Sequence, residues 1–316
     1  MKRLILLIAI AMACFAFSPQ SIKKYKAEVF LEEQNKLGEG AIWNYKTNQL
    51  WYIDILNGLF KTISLDHSNG ATYNMEQHIG TVVPTDQGNA VVALRDGVYQ
   101  YSLKEKQSTL MTSPDQGIED IRFNDGKCDP SGRFWVGSIV SKKRAGEASL
   151  YRVESKGETT RVLDSITCSN GIVWTSDKRT MYYVDSFDKK VKVFDYDDKT
   201  GNVSNRRVAF DVSQYGTPDG MAIDANDNLW VAVWGGSMVG CWDPVSGKLL
   251  AKIEVPALNV TSCAFGGKKL DSLFITTAIV GMKKEQRDQY PLAGSIFVAT
   301  PGVKGVKTDF FKEEKH

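Results

Sequence analysis

The chain has 316 residues, 39 Lys and Arg against 37 Asp and Glu, 42% hydrophobic and 24% charged. A formal net charge of +2, with no long basic block, excludes nucleic acid and anionic membrane surfaces as partner classes. Only His67, His78 and His316 supply imidazole, and none of the five cysteines forms a CxxC pair, which excludes Ser-His-Asp catalysis and the usual zinc sites.

Met1-Lys2-Arg3 followed by the apolar run Leu4 to Ala13 has the charged start and short hydrophobic stretch of a secretory signal, so residues 1–20 are set apart from the fold. Cys14 stands where a lipid-anchored form of the signal would be modified. Removing Lys2 and Arg3 leaves 37 basic residues, equal to the 37 acidic ones. No transmembrane span is expected after processing, and the location is exported, periplasmic or secreted, with a lipid anchor as the alternative. Residues 21–316 contain no linker and read as one unit.

From Leu50 a repeat emerges. The first apolar residue after each tight turn falls at Leu50, Val91, Phe134, Met181, Leu229 and Leu273, at spacings of 41, 43, 47, 48 and 44 residues. That is the length of a four-stranded propeller blade. Helical periodicity is absent, which removes classes that need crossover helices. The expectation is all-β, a six-bladed β-propeller, with the segment Ala27 to Leu31 pairing into the last blade and closing the ring.

One stretch is anomalous as core. Arg122-Phe123-Asn124-Asp125-Gly126 opens a strand with polar residues, before the Asp129-Pro130-Ser131-Gly132 turn and the apolar Phe134-Trp135. Such a strand makes sense if its first residues line a wet channel. Stepping back ten or eleven residues from each repeat anchor reaches Glu39, Thr81, Asn124, Asn170, Asp219 and Ser262, a ring around the axis. Glycine follows Glu39, Asn170 and Asp219 directly, permitting close strand approach. Carboxylate and amide oxygens converging on one point suit Ca²⁺, Mg²⁺ or Mn²⁺, and Zn²⁺ with water completing its shell. Facing carboxylates in a narrow channel repel, and a divalent ion neutralises them. The alternative is a hydrated channel without an ion.

Asp195 to Gly201 reads as a hairpin turn, since it lacks the closing Glu of a calcium loop. Lys142-Lys143-Arg144 is a solvated turn near the channel mouth. Cys128, Cys168, Cys241 and Cys263 are expected to be buried free thiols.

The strings RFNDGKCDPSGRFWVGS, LGEGAIW, SNGIVW, TPDGMAID and LWVAVWGGSMV resemble the regucalcin, gluconolactonase and luciferin-regenerating enzyme family over nearly all of the mature chain. The resemblance implies a six-bladed propeller acting as a metal-dependent sugar lactonase on a small-molecule substrate. It implies Glu39, Asn170 and Asp219 as metal ligands, Asp219 also as catalytic base, and Arg122 and Asn124 as substrate contacts. Where several members carry a Glu, this chain has Ser138-Ile139-Val140-Ser141-Lys142, with Glu147 the nearest carboxylate downstream. Lys142 as a substrate contact better suits a carboxylate or phosphate than D-gluconolactone itself. Two rival activities stand beside lactone opening: organophosphate or phosphoester hydrolysis at the same metal, and calcium or ligand binding without turnover.

Overall fold

The computed structural model describes residues 21–314, so the signal segment 1–20, Cys14 and His316 lie outside the described residues. The chain forms six antiparallel sheets of four strands, one of which gains a fifth strand. In chain order their first strands are Gly38–Asn44, Ile79–Pro84, Arg122–Cys128, Ser169–Trp174, Thr217–Ile223 and Asn259–Gly266. Each first strand touches the first strands of both neighbouring blades, and the sixth touches the first, so these strands encircle a common axis. The six repeat anchors all fall in second strands. The expected six-bladed propeller is therefore the fold.

Ring closure works as the sequence implies. Glu28–Leu31 pairs antiparallel with Ile296–Ala299 as the outer strand of blade six. The segment before it was not anticipated: Lys23–Lys26 runs parallel to Lys248–Glu254 and adds a fifth strand to blade five. Two successive stretches of the amino-terminal segment thus staple adjacent blades and cover both edges. One short helix, Lys284–Gln289, interrupts the connection within blade six, and no helix among the described residues is long and apolar enough to cross a membrane.

The turn that joins first and second strands is built in the same way in blades three and five. In blade three the fully buried Asp129 accepts from the backbone N–H groups of Ser131 and Arg133, from Arg133 Nε at 2.7 Å, Trp135 Nε1 at 2.8 Å and Tyr196 OH at 2.8 Å. Blade five repeats the device: Asp224 accepts from the N–H groups of Asn226 and Asn228 and from Trp230 Nε1. The carboxylate holds the turn and fixes the tryptophan that packs between blades. Trp135 meets Trp174 edge-on at 5.6 Å, and Trp230 meets Phe265 at 5.8 Å. Asp129→Ala leaves Trp135 Nε1 without an acceptor and takes from Arg133 its buried carboxylate partner, and is expected to cost about 3–5 kcal/mol, read as a lower urea midpoint.

The far end of the channel is covered. The carboxy-terminal segment bridges Asp224 through Gly305 and Thr85 through Phe311, and Val306 to Asp309 lie against residues of several first strands around a remnant of about 70 Å³. Access to the ring is from the opposite end.

Candidate active site

All six ring residues lie on first strands, and the local backbone explains how they reach the axis. In every blade the pairing of first and second strands is irregular at the ring position: between Glu39 and Ile42, Ile79 and Thr81, Phe123 and Gly126, Ser169 and Ile172, Pro218 and Met221, and Val260 and Ser262. An irregularity of this kind re-aims a side chain out of the alternating pattern. The polar residue therefore faces the channel at a point where a regular strand would turn it into the sheet.

Glycine makes the crowding tolerable. A Cβ on Gly171 would stand 2.7 Å from the Asp219 carbonyl oxygen and 2.8 Å from Met221 Cγ. Blade five's backbone has no room to retreat without moving Asp219. Gly171→Ala is expected to destabilise the fold by about 1–3 kcal/mol, checked by denaturant unfolding.

Glu39, Arg122, Asn124, Lys142, Asn170 and Asp219 all line one cavity of about 590 Å³. The expected ligands and substrate contacts are thus brought together, whereas the ring residues Thr81 and Ser262 do not line this cavity: Thr81 Oγ1 donates to the Gly126 carbonyl at 3.1 Å, and Ser262 packs on Gly220 of the neighbouring strand. Asn170 donates from Nδ2 to Ser186 Oγ at 2.9 Å, and Ser186 in turn donates to the Pro218 carbonyl at 2.8 Å. This chain fixes the amide, leaving Oδ1 as the free end. Three buried side-chain oxygens among the described residues lack a hydrogen-bond partner, Asp115 Oδ2, Asn170 Oδ1 and Asp219 Oδ1, and two of the three belong to this cavity. Orphaned buried acceptors are rare and costly, so their pairing here marks a place for a cation or donor.

The electrostatics agree. Burial first, then the Asp125 carboxylate, push the Glu39 carboxyl up to about 8. Asp219 is also held well above the usual carboxylate range, by burial first and then by Glu39 and Asp125. The Glu39 and Asp219 carboxyls are within hydrogen-bonding reach of each other. Asp125 has a counter-ion in Lys127, which is itself lowered by burial and tied to the Met221 carbonyl at 2.7 Å. Neither Glu39 nor Asp219 is in an ion pair among the described residues. No group of three or more His, Cys, Asp and Glu gathers there; the donor set is two carboxylates and an amide, all oxygen, which fits a hard divalent cation.

Arg122 is half-buried and donates through Nη1 to the Phe123 carbonyl at 2.9 Å and Asn124 Oδ1 at 2.8 Å. Among the described residues Nε and Nη2 have no hydrogen-bond acceptor. Asn124 is held from its other end by the Ser169 carbonyl at 2.8 Å, so its first role is to orient Arg122. Lys142 stands on the rim, exposed, in a short 3-10 turn. Glu147 does not replace the missing acceptor: it is ion-paired to Arg144 at 2.6 Å.

The sequence did not reveal Ser186, Phe187, Lys189 or Trp234, which complete the cavity wall. Ser186, Phe187 and Lys189 come from the connection between the second and third strands of blade four, which no repeat register reaches, and Trp234 is the last residue of blade five's second strand, paired with Thr217. Cys168, one of four buried free thiols, also lines the cavity, and burial raises its pKa, keeping it a neutral thiol.

Residues 37–279 match the family described as SMP-30/Gluconolactonase/LRE-like region. Regucalcin of Danio rerio is 38% identical over 286 residues, covering 89% of this chain and 96% of the relative. Among solved structures, a calcium-binding protein, regucalcin, from Agrobacterium tumefaciens str. C58 superposes with a TM-score of 0.87 at 25% identity, over 92% of this chain and 99% of that one. A luciferin-regenerating enzyme gives 0.84 at 27% identity, over 90% and 99%.

Proposed function

This chain belongs to the SMP-30/Gluconolactonase/LRE-like family, and from that premise we propose that it is a metal-dependent hydrolase that opens the ring of a sugar lactone. The observation that carries the reading is the pair of partnerless oxygens, Asn170 Oδ1 and Asp219 Oδ1, in one cavity beside the buried Glu39 carboxyl.

Glu39, Asn170 and Asp219 would hold the cation, calcium being the one named for the Agrobacterium relative and Mg²⁺, Mn²⁺ or Zn²⁺ the alternatives. A divalent ion in that position supplies Lewis-acid polarisation of an ester carbonyl and eases deprotonation of water. The protein's own contribution is orientation and proton handling. Asp219 Oδ1, a buried carboxylate oxygen without a hydrogen-bond partner among the described residues, accepts the proton of the attacking water. Arg122, locked by Phe123 and Asn124, directs one of its free guanidinium N–H groups at the oxygen on which charge develops, and needs no reorganisation as it does so. Ser186 keeps Asn170 from flipping.

The test is a pH-indicator screen of the mature protein against aldono-, aldarono- and acyl-homoserine lactones with each of the four ions. Turnover on at least one lactone that disappears on chelation is expected. Binding of metal without turnover on any lactone would favour a calcium-binding role instead, and faster release from phosphotriesters than from lactones would favour the phosphoester reading. As part of the same proposal we put the activity outside the cytoplasm, a reading supported by the charged start and apolar run of residues 1–13.

A further inference from the structure

A second cavity, of about 420 Å³, adjoins the first and shares Arg122 and Ile139 with it. Its wall carries His78, Arg95 and Arg122 against a single carboxylate, Asp120. His78 and Arg95 are pinned side by side by the bond from the Arg95 N–H to the His78 carbonyl at 3.0 Å. Among the described residues neither Arg95 nor Arg122 is in an ion pair; Arg161, Arg179 and Arg287 share that state, but only Arg95 and Arg122 line one cavity together. Asp120 does not cancel them, because it also lies within electrostatic reach of Arg144.

We propose that this second cavity binds an anionic group at the end of the substrate remote from the lactone ester, with Arg95 and Arg122 supplying charge and His78 a hydrogen bond. The preferred substrate is then a sugar lactone bearing a carboxylate or a phosphate. The proposal rests on the lactone-opening reading for the identity of the substrate, though not for the existence of the anion site. Partial burial and the two guanidinium groups lower the His78 pKa, so the imidazole is neutral near pH 7 and offers an N–H without a third charge. Arg122 joins the two cavities: Nη1 is fixed in the wall, and the remaining donors reach substrate oxygens on either side. Unpaired guanidinium groups suit planar carboxylate or phosphate oxygens better than sugar hydroxyls.

The test is calorimetric titration of the calcium-loaded full chain with D-glucarate, 6-phospho-D-gluconate and D-gluconate, on wild type, Arg95→Glu and Lys142→Ala. Gluconate carries one anionic end, the other two carry a second, and the two arms separate carboxylate from phosphate. Wild type is expected to bind at least one dianionic ligand about tenfold or more tightly than gluconate, and Arg95→Glu to abolish that preference. Arg95 is exposed, so the variant is expected to fold, with its urea midpoint as the control. Equal affinity for all three ligands in wild type overturns the proposal. So does a preference that survives Arg95→Glu but is lost in Lys142→Ala, which would place the anion at the rim of the first cavity. The lactone-opening reading fails separately, by absence of turnover on every lactone, and the ligand preference is read without any turnover.

Discussion

Asp219→Asn is expected to remove lactone opening by at least about 10³-fold in kcat/KM, while the fold survives. The substitution keeps the shape and one acceptor oxygen, so the irregular strand around Pro218 and Met221 has no reason to repack. It removes the charge that would hold a cation and the base that takes the proton. It also removes a buried carboxylate whose charged form is disfavoured by burial first and then by Glu39 and Asp125. A metal-free Asn variant should therefore unfold at a denaturant concentration equal to or above that of metal-free wild type. The two readouts move in opposite directions, which is the signature of a site that carries electrostatic strain for function. Full turnover in this variant would reject the role given to Asp219; a lower unfolding midpoint without metal would show that the carboxylate is a structural hydrogen-bonding group instead.

Much of this was legible because the propeller writes its geometry into spacing. A turn followed by an apolar second strand recurs at blade length, and one ring residue sits at the same offset before each turn. The reason for that offset is structural: the irregularity in each first strand occurs at one height along the axis, so counting back from Leu50 or Leu229 reaches the channel at the same level. The elements that escaped have no such register. Lys23–Lys26, with sequence KKYK, shows no alternation of apolar residues, and its parallel pairing to blade five follows from tertiary context. The helix Lys284–Gln289 spans six residues, too few for a helical period to show against a strand-rich background. Lys142 and Glu147 are close in sequence, yet one reaches the cavity and the other closes on Arg144, a choice made by a local turn that residue types alone do not disclose. His78 and Arg95 lie seventeen positions apart in sequence, the pairing of blade two sets them side by side, and Arg122 meets them from blade three.

Calcium is expected to stabilise the protein more at pH 8 than at pH 5. Glu39 has its pKa raised from 4.5 to about 8 in the folded chain, and Asp219 moves the same way. Between those values the metal-free folded state holds protons that the unfolded state has released. The contribution of these two carboxyls to stability without metal is therefore fullest below about pH 4.5 and is lost as pH rises through about 8. A divalent ion at the same oxygens competes with those protons, so its affinity rises over the window in which the metal-free protein weakens. At a concentration a hundredfold above Kd the ion contributes about 2.7 kcal/mol, roughly 4 °C in Tm for a chain of this length. Thermal unfolding of calcium-free and calcium-saturated protein at pH 5, 6.5 and 8 measures the difference directly. The calcium-dependent shift should grow with pH in wild type and flatten in Asp219→Asn. A shift of equal size at all three pH values would mean that the ion binds away from Glu39 and Asp219, because only buried, proton-holding carboxylates link its affinity to pH over this range.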